Sequence, residues 1–309
     1  MKAIRIHQHG GADKLQLDEI DIPQAGPNEL LIKVHATSVN PVDWKIREGL
    51  RAEKFPSKLP LTLGWDVSGT VETIGEKVSG FAKGDEVYAK LEPTKNGAYA
   101  AYVAVNAKLV ATKPLNIGHT EAAAIPLAGL TAWQGLFDYG LLKANQRVLI
   151  HAAAGGVGSL AVQFAKAKGA YVIGTASAAN IDFLKQLGAD EVIDYHMENF
   201  EAVLSDIDLV LDTLGGETQA KSLLVLKPGG RVVSTLGAEH PTEAKQKGFH
   251  LLAFTAQGNS AQLDEISALI DSGKVKAVID QVLSLEDARK AHELSEQGHT
   301  RGKIILQVI

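Results

Sequence analysis

Residues 147–168 constrain this chain more than any other stretch. The apolar run Arg147–Ala152 leads into the turn Ala153-Ala154-Gly155-Gly156-Val157-Gly158. Beyond the turn, Val157, Leu160, Ala161, Phe164 and Ala165 recur at helical spacing. A buried strand, a glycine turn and an amphipathic helix in that order predict one βαβ unit of a parallel sheet. Glycines at such a turn let a pyrophosphate approach the backbone, and the free N–H groups of the helix N-terminus point at its charge. Gly155 and Gly158 match the second and third glycines of the dinucleotide fingerprint, Ala153 replaces the first, and Gly156 adds permissive backbone. A glycine fingerprint alone is weak evidence, and the strand and helix around this one strengthen it. The plainer alternative is a tight βα turn in an α/β protein that binds no cofactor.

The flanking sequence supports an α/β fold with a second, β-rich part. Val148–Ala152, Tyr171–Thr175, Glu191–Asp194, Leu209–Asp212 and Arg231–Thr235 read as short buried strands. Val157–Lys168, Ala178–Leu187, Glu217–Leu226 and Ala261–Ser272 read as helices. Before them, Lys2–His7, Leu15–Ile20, Leu30–Asn40, Val67–Ile74, Glu86–Leu91 and Ala100–Val105 carry β-branched residues between Gly, Pro, Asn and Asp turns. Glu121 to Tyr139 reads as helical, broken or kinked at Pro126. At the end, Leu285–Gln297 reads as a helix and Lys303–Val308 as a strand that returns to the N-terminal part.

Composition excludes several functions. The 309 residues carry a formal net charge of −5, which gives no electrostatic case for nucleic acid. There is no cysteine, so disulfides, thiolate metal sites and cysteine nucleophiles are all excluded. The start reads as a strand and not as a signal peptide, and no run of about 20 apolar residues is present to span a bilayer. A cytoplasmic protein is expected.

The end of the second central strand bears on the choice of nicotinamide cofactor. Roughly 20 residues past the glycines, an NAD site places an acid on the ribose 2′-hydroxyl. This chain has Thr175-Ala176-Ser177 there, followed by Ala178, Ala179 and Asn180. No acid repels a 2′-phosphate and Ser177 can donate to one, which favours NADPH. No Lys or Arg follows at once to complete such a site, and Ser177 also reads as a helix cap.

With these residues in view, the whole chain resembles the zinc-independent quinone oxidoreductases of the medium-chain dehydrogenase/reductase superfamily. The resemblance rests on Asn40-Pro41-Val42-Asp43, Gly64-Trp65-Asp66-Val67-Ser68-Gly69, Gly84-Asp85-Glu86-Val87, Leu130-Thr131-Ala132 and Ala154-Gly155-Gly156-Val157-Gly158. It continues through Leu187-Gly188-Ala189-Asp190-Glu191-Val192-Ile193-Asp194-Tyr195 and Arg301-Gly302-Lys303. The segment around Trp44 and Lys45 is similar to the enone and quinone reductase branch. The resemblance implies a GroES-like β domain over residues 1–118 and 276–309 and a Rossmann domain over 119–275. The cofactor would lie in the cleft between them. It also implies a homodimer joined through an edge strand near Leu251–Gln257.

Zinc alcohol dehydrogenases of this superfamily use Cys, a His-Glu pair and a further Cys or Asp. Here Asn40 to Asp43 fills the first ligand region and Trp65-Asp66 stands where the His-Glu pair would lie, so no metal is expected. His7 and His9 would share one strand face and read as surface residues. The expected chemistry is hydride transfer from NADPH to a quinone or an α,β-unsaturated carbonyl, with neutral side chains or ribose hydroxyls stabilising the developing oxygen charge. Asn40 is the first candidate for the catalytic cleft and for the nicotinamide, against the alternative of a turn residue before Pro41. Asp43 would organise the site or cap a helix, and Lys45 would polarise a carbonyl or stand in solvent. By resemblance, Thr131 contacts the nicotinamide side and Tyr195 the adenosine 2′-phosphate, although Tyr195 also reads as a strand-end aromatic. Ala154, Val157, Asn180, Leu214 and Leu236 are further cofactor candidates. Gly237 would pass near the nicotinamide ribose and Phe254-Thr255 near the ring, while Lys303 would reach the phosphates. Loops Arg47 to Leu59 and Glu92 to Gly97 are expected to shape the substrate pocket. No proton donor is assigned, with Tyr88, Tyr99 and solvent all open.

Three other functions share these features. One is an alkenal or enoyl reductase of lipid-derived aldehydes, and another is an NADPH-binding regulatory protein with little turnover. The third is a zinc alcohol dehydrogenase.

Overall fold

The computed structural model describes residues 1–56, 58–239 and 241–309. The chain forms two units, one from residues 1–127, 258–273 and 277–309 and the other from residues 128–257 and 274–276. In chain order, the first unit opens with β1 (Lys2–Ile6), β2 (Leu15–Glu19), β3 (Glu29–Val39), β4 (Leu61–Thr62), β5 (Asp66–Ile74), β6 (Glu86–Lys90), β7 (Tyr102–Asn106) and β8 (Val110–Thr112). The second unit holds β9 (Arg147–Ile150), β10 (Tyr171–Ala176), β11 (Glu191–Asp194), β12 (Ile207–Asp212), β13 (Leu226–Ser234) and β14 (His250–Ala253). β15 (Ile279–Ser284) and β16 (Lys303–Gln307) return to the first unit.

The second unit is a six-stranded sheet in the order β11-β10-β9-β12-β13-β14, parallel throughout. This is the doubly wound order, whose direction of progression reverses between β9 and β12. Val148, Leu149 and Ile150 of β9 are wholly buried, as a central strand covered on both faces requires. The helix after the glycine turn, Gly156–Ala167, buries Leu160, Ala161, Val162, Phe164 and Ala165. Two expected helices differ in extent. The Ala178–Leu187 stretch divides into a 3-10 turn, Ala178–Asn180, and the helix Ile181–Gln186. The helix expected over Glu217–Leu226 spans Gly216–Ser222, and Leu226 already belongs to β13. Pro228 and the left-handed Gly229 (φ +77°) are incompatible with a helical continuation.

The first unit carries a seven-stranded sheet in the order β15-β16-β3-β5-β6-β8, with β7 also on β3, and a smaller β2-β1-β4 sheet. The long β3 serves two neighbours on one side. Glu29–Lys33 pairs with β7 and Ala36–Val39 pairs with β16. The C-terminal strand thus returns to the N-terminal part, as its pattern predicts. β4, β8, β15 and the helix Pro41–Arg47 were not foreseen, because short edge strands and a seven-residue helix carry little periodicity. Trp65, Tyr99, Leu30, Ile32, Val67 and Val87 are buried in this unit's core. Gly64 (φ +93°) runs so close to Tyr99 that an added Cβ would lie 2.2 Å from the ring. The predicted Glu121–Tyr139 helix is realised as three pieces, His119–Ala122, Pro126–Trp133 and a π-helical turn Gln134–Tyr139, with Pro126 opening the middle one. Among the described residues, no helix is long and apolar enough to cross a membrane.

Candidate active site

The glycine turn is built almost entirely from backbone. Gly155 is extended (φ −75°, ψ 180°) and caps the helix Gly156–Ala167, whose first internal bond runs from Ser159 N–H to Gly155 O at 2.9 Å. The N–H groups of Gly156, Val157 and Gly158 therefore lack intrahelical acceptors and sit at the positive end of a 12-residue helix dipole. A Cβ on Gly158 would lie 2.4 Å from Ala152 O and 2.6 Å from Ala153 Cα, so helix and strand meet too closely there for any side chain. Ala153, in place of the first glycine, is wholly buried. Its methyl faces Gly174 of β10, where an added Cβ would come within 2.9 Å. This cradle fits a dinucleotide pyrophosphate.

The other cofactor candidates of this unit line the C-terminal ends of the same strands. Ser177 follows β10 and Tyr195 follows β11. Tyr195 N–H donates to Ala176 O at 3.2 Å, which sets the two positions side by side. Ser177 stands at the cap of the 3-10 turn without a side-chain capping bond, and its Oγ accepts from Asn180 Nδ2 at 3.2 Å. Tyr195 is 55 % exposed and its ring packs on His196.

Two residues that sequence reasoning missed organise the neighbouring turns. Asp212 Oδ1 accepts from the N–H groups of Leu214 and Gly215, both at 2.9 Å, and Oδ2 accepts from Gln219 Nε2 at 3.0 Å. Burial opposes the Asp212 charge, but these donors outweigh it and hold the carboxyl below its ordinary range. Gln219 also donates to Gly237 O at 2.8 Å and accepts from Glu239 N–H at 2.9 Å, tying the turn after β12 to the turn after β13. Gly237 has φ +140°, a conformation reserved for glycine. Leu214 and Leu236 are exposed. Phe254 is buried against Tyr139 and donates its N–H to Ser234 O, with Thr255 next to it. Thr131 is buried in the helix Pro126–Trp133.

Two of the three catalytic candidates, Asn40 and Asp43, belong to a buried polar cluster in the first unit. Asn40 precedes the helix Pro41–Arg47, and its N–H donates to Asp43 Oδ2 at 2.7 Å, one half of a capping box. The Asn40 side chain donates from Nδ2 to Asp66 Oδ2 at 2.7 Å and accepts at Oδ1 from the Lys303 ammonium. Asp66, wholly buried on β5, also accepts from Ser38 Oγ at 2.5 Å and from Leu127 N–H at 2.6 Å. Lys303, expected to reach the cofactor phosphates, is drawn into this cluster. Its ammonium is buried, donates to Val39 O at 2.9 Å and to Asn40 Oδ1, and faces Asp66 Oδ2 at 3.7 Å. Two of its three donors are committed to Val39 O and Asn40 Oδ1, and its charge is paired with buried Asp66. Burial pushes its pKa down, against the pull of Asp66 and Asp43.

Asp43 extends the cluster. Burial raises its pKa to about 8, against the Asn40 N–H and the Lys303 charge. Its Oδ2 also accepts from Tyr99 OH at 3.1 Å, and its buried Oδ1 has no partner. Tyr99 in turn meets His292 Nε2 at 3.1 Å, and Arg47 Nη1 meets His292 Nδ1 at 3.2 Å. A guanidinium can only donate, so Nδ1 is the acceptor and Nε2 carries the hydrogen. The chain of donors then runs in one direction, from Arg47 to His292 to Tyr99 to Asp43. Tyr99 is thereby committed within the core, and Arg47, expected in a pocket loop, is the fully buried last residue of its helix. Lys45 stands apart from this cluster with its ammonium 5.2 Å from the Trp44 ring, its pKa lowered by partial burial and then by Arg51. Ser57, within the Arg47–Leu59 loop, lies outside the described residues.

The residues around Asp66 do not fit zinc. A catalytic zinc site needs three N, S or O ligands from deprotonated side chains. Here both acids at hand, Asp66 and Asp43, accept from surrounding donors, and an ammonium faces Asp66. Among the described residues no group of three or more His, Cys, Asp or Glu is arranged to hold a metal ion.

Comparison with known proteins agrees with both halves of this picture. Residues 26–115 match the alcohol dehydrogenase GroES-like domain, and residues 187–306 match the zinc-binding dehydrogenase family. The quinone oxidoreductase from Coxiella burnetii is 38 % identical, with a TM-score of 0.93 over 100 % of this chain and 99 % of that one. The chain belongs to the quinone oxidoreductase branch of the medium-chain dehydrogenase/reductase superfamily. The Escherichia coli quinone oxidoreductase complexed with NADPH is 32 % identical, with a TM-score of 0.91 and 100 % of both chains covered. The NADPH-dependent alkenal/one oxidoreductase of Arabidopsis thaliana chloroplasts is 38 % identical over 100 % of this chain and 80 % of its own length. Zinc in the family description thus names the superfamily, while this chain's own donor set is that of a member without it.

Proposed function

We propose that this chain is an NADPH-dependent oxidoreductase that reduces quinones or α,β-unsaturated carbonyls without zinc. The observation that carries the reading is the buried Asn40–Asp66–Lys303 cluster. It sets an amide and an ammonium against Asp66, a donor set unsuited to a metal, in a chain that also has a glycine turn suited to a dinucleotide. When bound, NADPH supplies the hydride. The N–H groups of Gly156, Val157 and Gly158 hold the pyrophosphate. Ser177, whose oxygen already accepts from Asn180, keeps its own hydrogen to donate to a 2′-phosphate, with Tyr195 beside it. The turns after β12 and β13, which carry Leu214, Leu236 and Gly237, border the nicotinamide half together with Thr131, Phe254 and Thr255. Asn40 offers an amide N–H to the acceptor's oxygen as negative charge builds there. Asp43 supports Asn40 through its backbone, and Lys45 has no contact that ties it to this chemistry.

Stopped-flow oxidation of NADPH by 1,4-benzoquinone and by a small enone tests the reading. We expect turnover of at least one acceptor, and none with either would refute it. The same reading includes a homodimer joined at the free edge of β14, the outermost strand of the parallel sheet, which sedimentation tests. It also includes a cytoplasmic location, which cell fractionation tests.

A further inference from the structure

We propose that Lys303 is a positioning residue for the reductase reaction: its ammonium, set between Asn40 and Asp66, locks the Asn40 carboxamide in the one orientation that leaves an amide hydrogen available to the substrate. This rests on the functional reading above. An asparagine side chain has two planar orientations of nearly equal shape, and its partners choose between them. Here both partners vote the same way. Lys303 can only donate, so it takes Asn40 Oδ1. Asp66 is approached by donors from Ser38, Leu127, Asn40 and Lys303, so it takes Asn40 Nδ2. A flipped amide would set its NH2 against an ammonium and its oxygen against a carboxylate, at a site that is 2 % exposed and therefore poorly screened.

The remaining Nδ2 hydrogen has no acceptor among the described residues, so it is a donor without a protein partner. The main-chain bond from Asn40 N–H to Asp43 Oδ2 fixes the backbone independently of the side chain. Lys303 thus controls the direction of the amide, and Asp43 controls its location. Val39 O, the other hydrogen-bond acceptor of the ammonium, holds Lys303 itself in place on the strand pair β3–β16.

The test compares wild type, Lys303→Met and the charge-balanced double variant Lys303→Met/Asp66→Asn. It measures melting temperature, NADPH and NADH dissociation constants by fluorescence, kcat and KM with 1,4-benzoquinone or a small enone, and the Asn40 side-chain signal in selectively 15N-asparagine-labelled protein. We expect Lys303→Met to lower kcat at least about tenfold, the scale of a misoriented catalytic group, with NADPH affinity unchanged. The double variant should recover the melting temperature but not kcat, and the Asn40 amide signal should shift or broaden in both variants. Recovery of kcat together with stability in the double variant would reduce Lys303 to a charge-balancing role and overturn the proposal. A selective loss of NADPH over NADH affinity would also overturn it, by returning Lys303 to the phosphates. If Lys303→Met does not fold, the double variant carries the test. Wild type without turnover refutes the functional reading alone, while the amide signal still reports on Lys303.

Discussion

The glycine turn and the Asn40 cluster solve opposite problems. On the proposed reading the turn after β9 admits a charged group, and it is stripped of side chains and presents N–H groups at a helix end. The cluster must hold charges away from water, so it is made of side chains whose polar groups largely match one another, with the Asp43 Oδ1 acceptor and the second Asn40 Nδ2 hydrogen the exceptions. A site made from backbone is local in sequence, since six consecutive residues specify it. A site made from side chains draws on distant segments, and Asn40 meets a lysine 263 residues away.

The largest effect that would sharpen this contrast is a side chain in the turn. Gly158→Val places a Cβ 2.4 Å from Ala152 O. NADPH binding should weaken by two orders of magnitude or so, the cost of about 3 kcal/mol of backbone displacement. Fluorescence titration measures this, and near-normal affinity would show that the turn tolerates what its geometry forbids.

Removing a charge from the cluster ranks next. Arg47→Met strips the ion partner from Glu48 and Glu296 and the donor from His292, all at a residue with no exposed surface. Those carboxylates reach water, so the loss should fall at or below the low end of the 3–5 kcal/mol typical of a broken buried pair, about 2–3 kcal/mol. Chemical denaturation is the measurement, and NADPH affinity of the folded fraction should stay unchanged.

The cluster should also answer to pH where the turn does not. Burial, with Arg47 adding to it, lowers the His292 pKa from an ordinary 6.5 to about 3. Between those values the unfolded chain binds the proton that the folded chain refuses. Stability from this group is therefore complete above pH 6.5 and declines as pH falls toward 3. His292→Gln should flatten its share of that acid limb in a plot of melting temperature against pH. An unchanged slope would mean the ring takes up its proton without loss.

The smallest effect belongs to the 2′-phosphate. Ser177→Ala should cost NADPH a few-fold in affinity, about 1 kcal/mol, and leave NADH unaffected. Equal losses for both cofactors would make Ser177 a structural residue of the turn.

How much could be read beforehand follows the same division. The parallel sheet announced itself through β9, β10 and β11, whose apolar runs and glycines are local, and Glu191–Asp194 was located to the residue. Asn40, Asp43 and Asp66 stood out as motif positions, but their mutual geometry did not. Lys303 lies in a strand that reads as any C-terminal strand, and nothing near it says that its partner is Asn40. Asp212 and Gln219 were passed over for a related reason. Asp212 makes a local turn that any strand-end Asp could make, and no sequence spacing marks Gln219, whose bonds reach the main chain of the turn after β13.

The pairing of β16 with β3 has a consequence for biosynthesis. Strand β3 and the acid on β5 leave the ribosome more than 230 residues before the lysine that neutralises them in the finished fold. Through most of translation Asp66 lacks this cation while the segment for the parallel sheet emerges and folds. The β3 edge at Ala36–Val39 waits open for the same interval, available to any other strand that meets it first. The unit with the parallel sheet is thus able to form before the other unit receives its last strand.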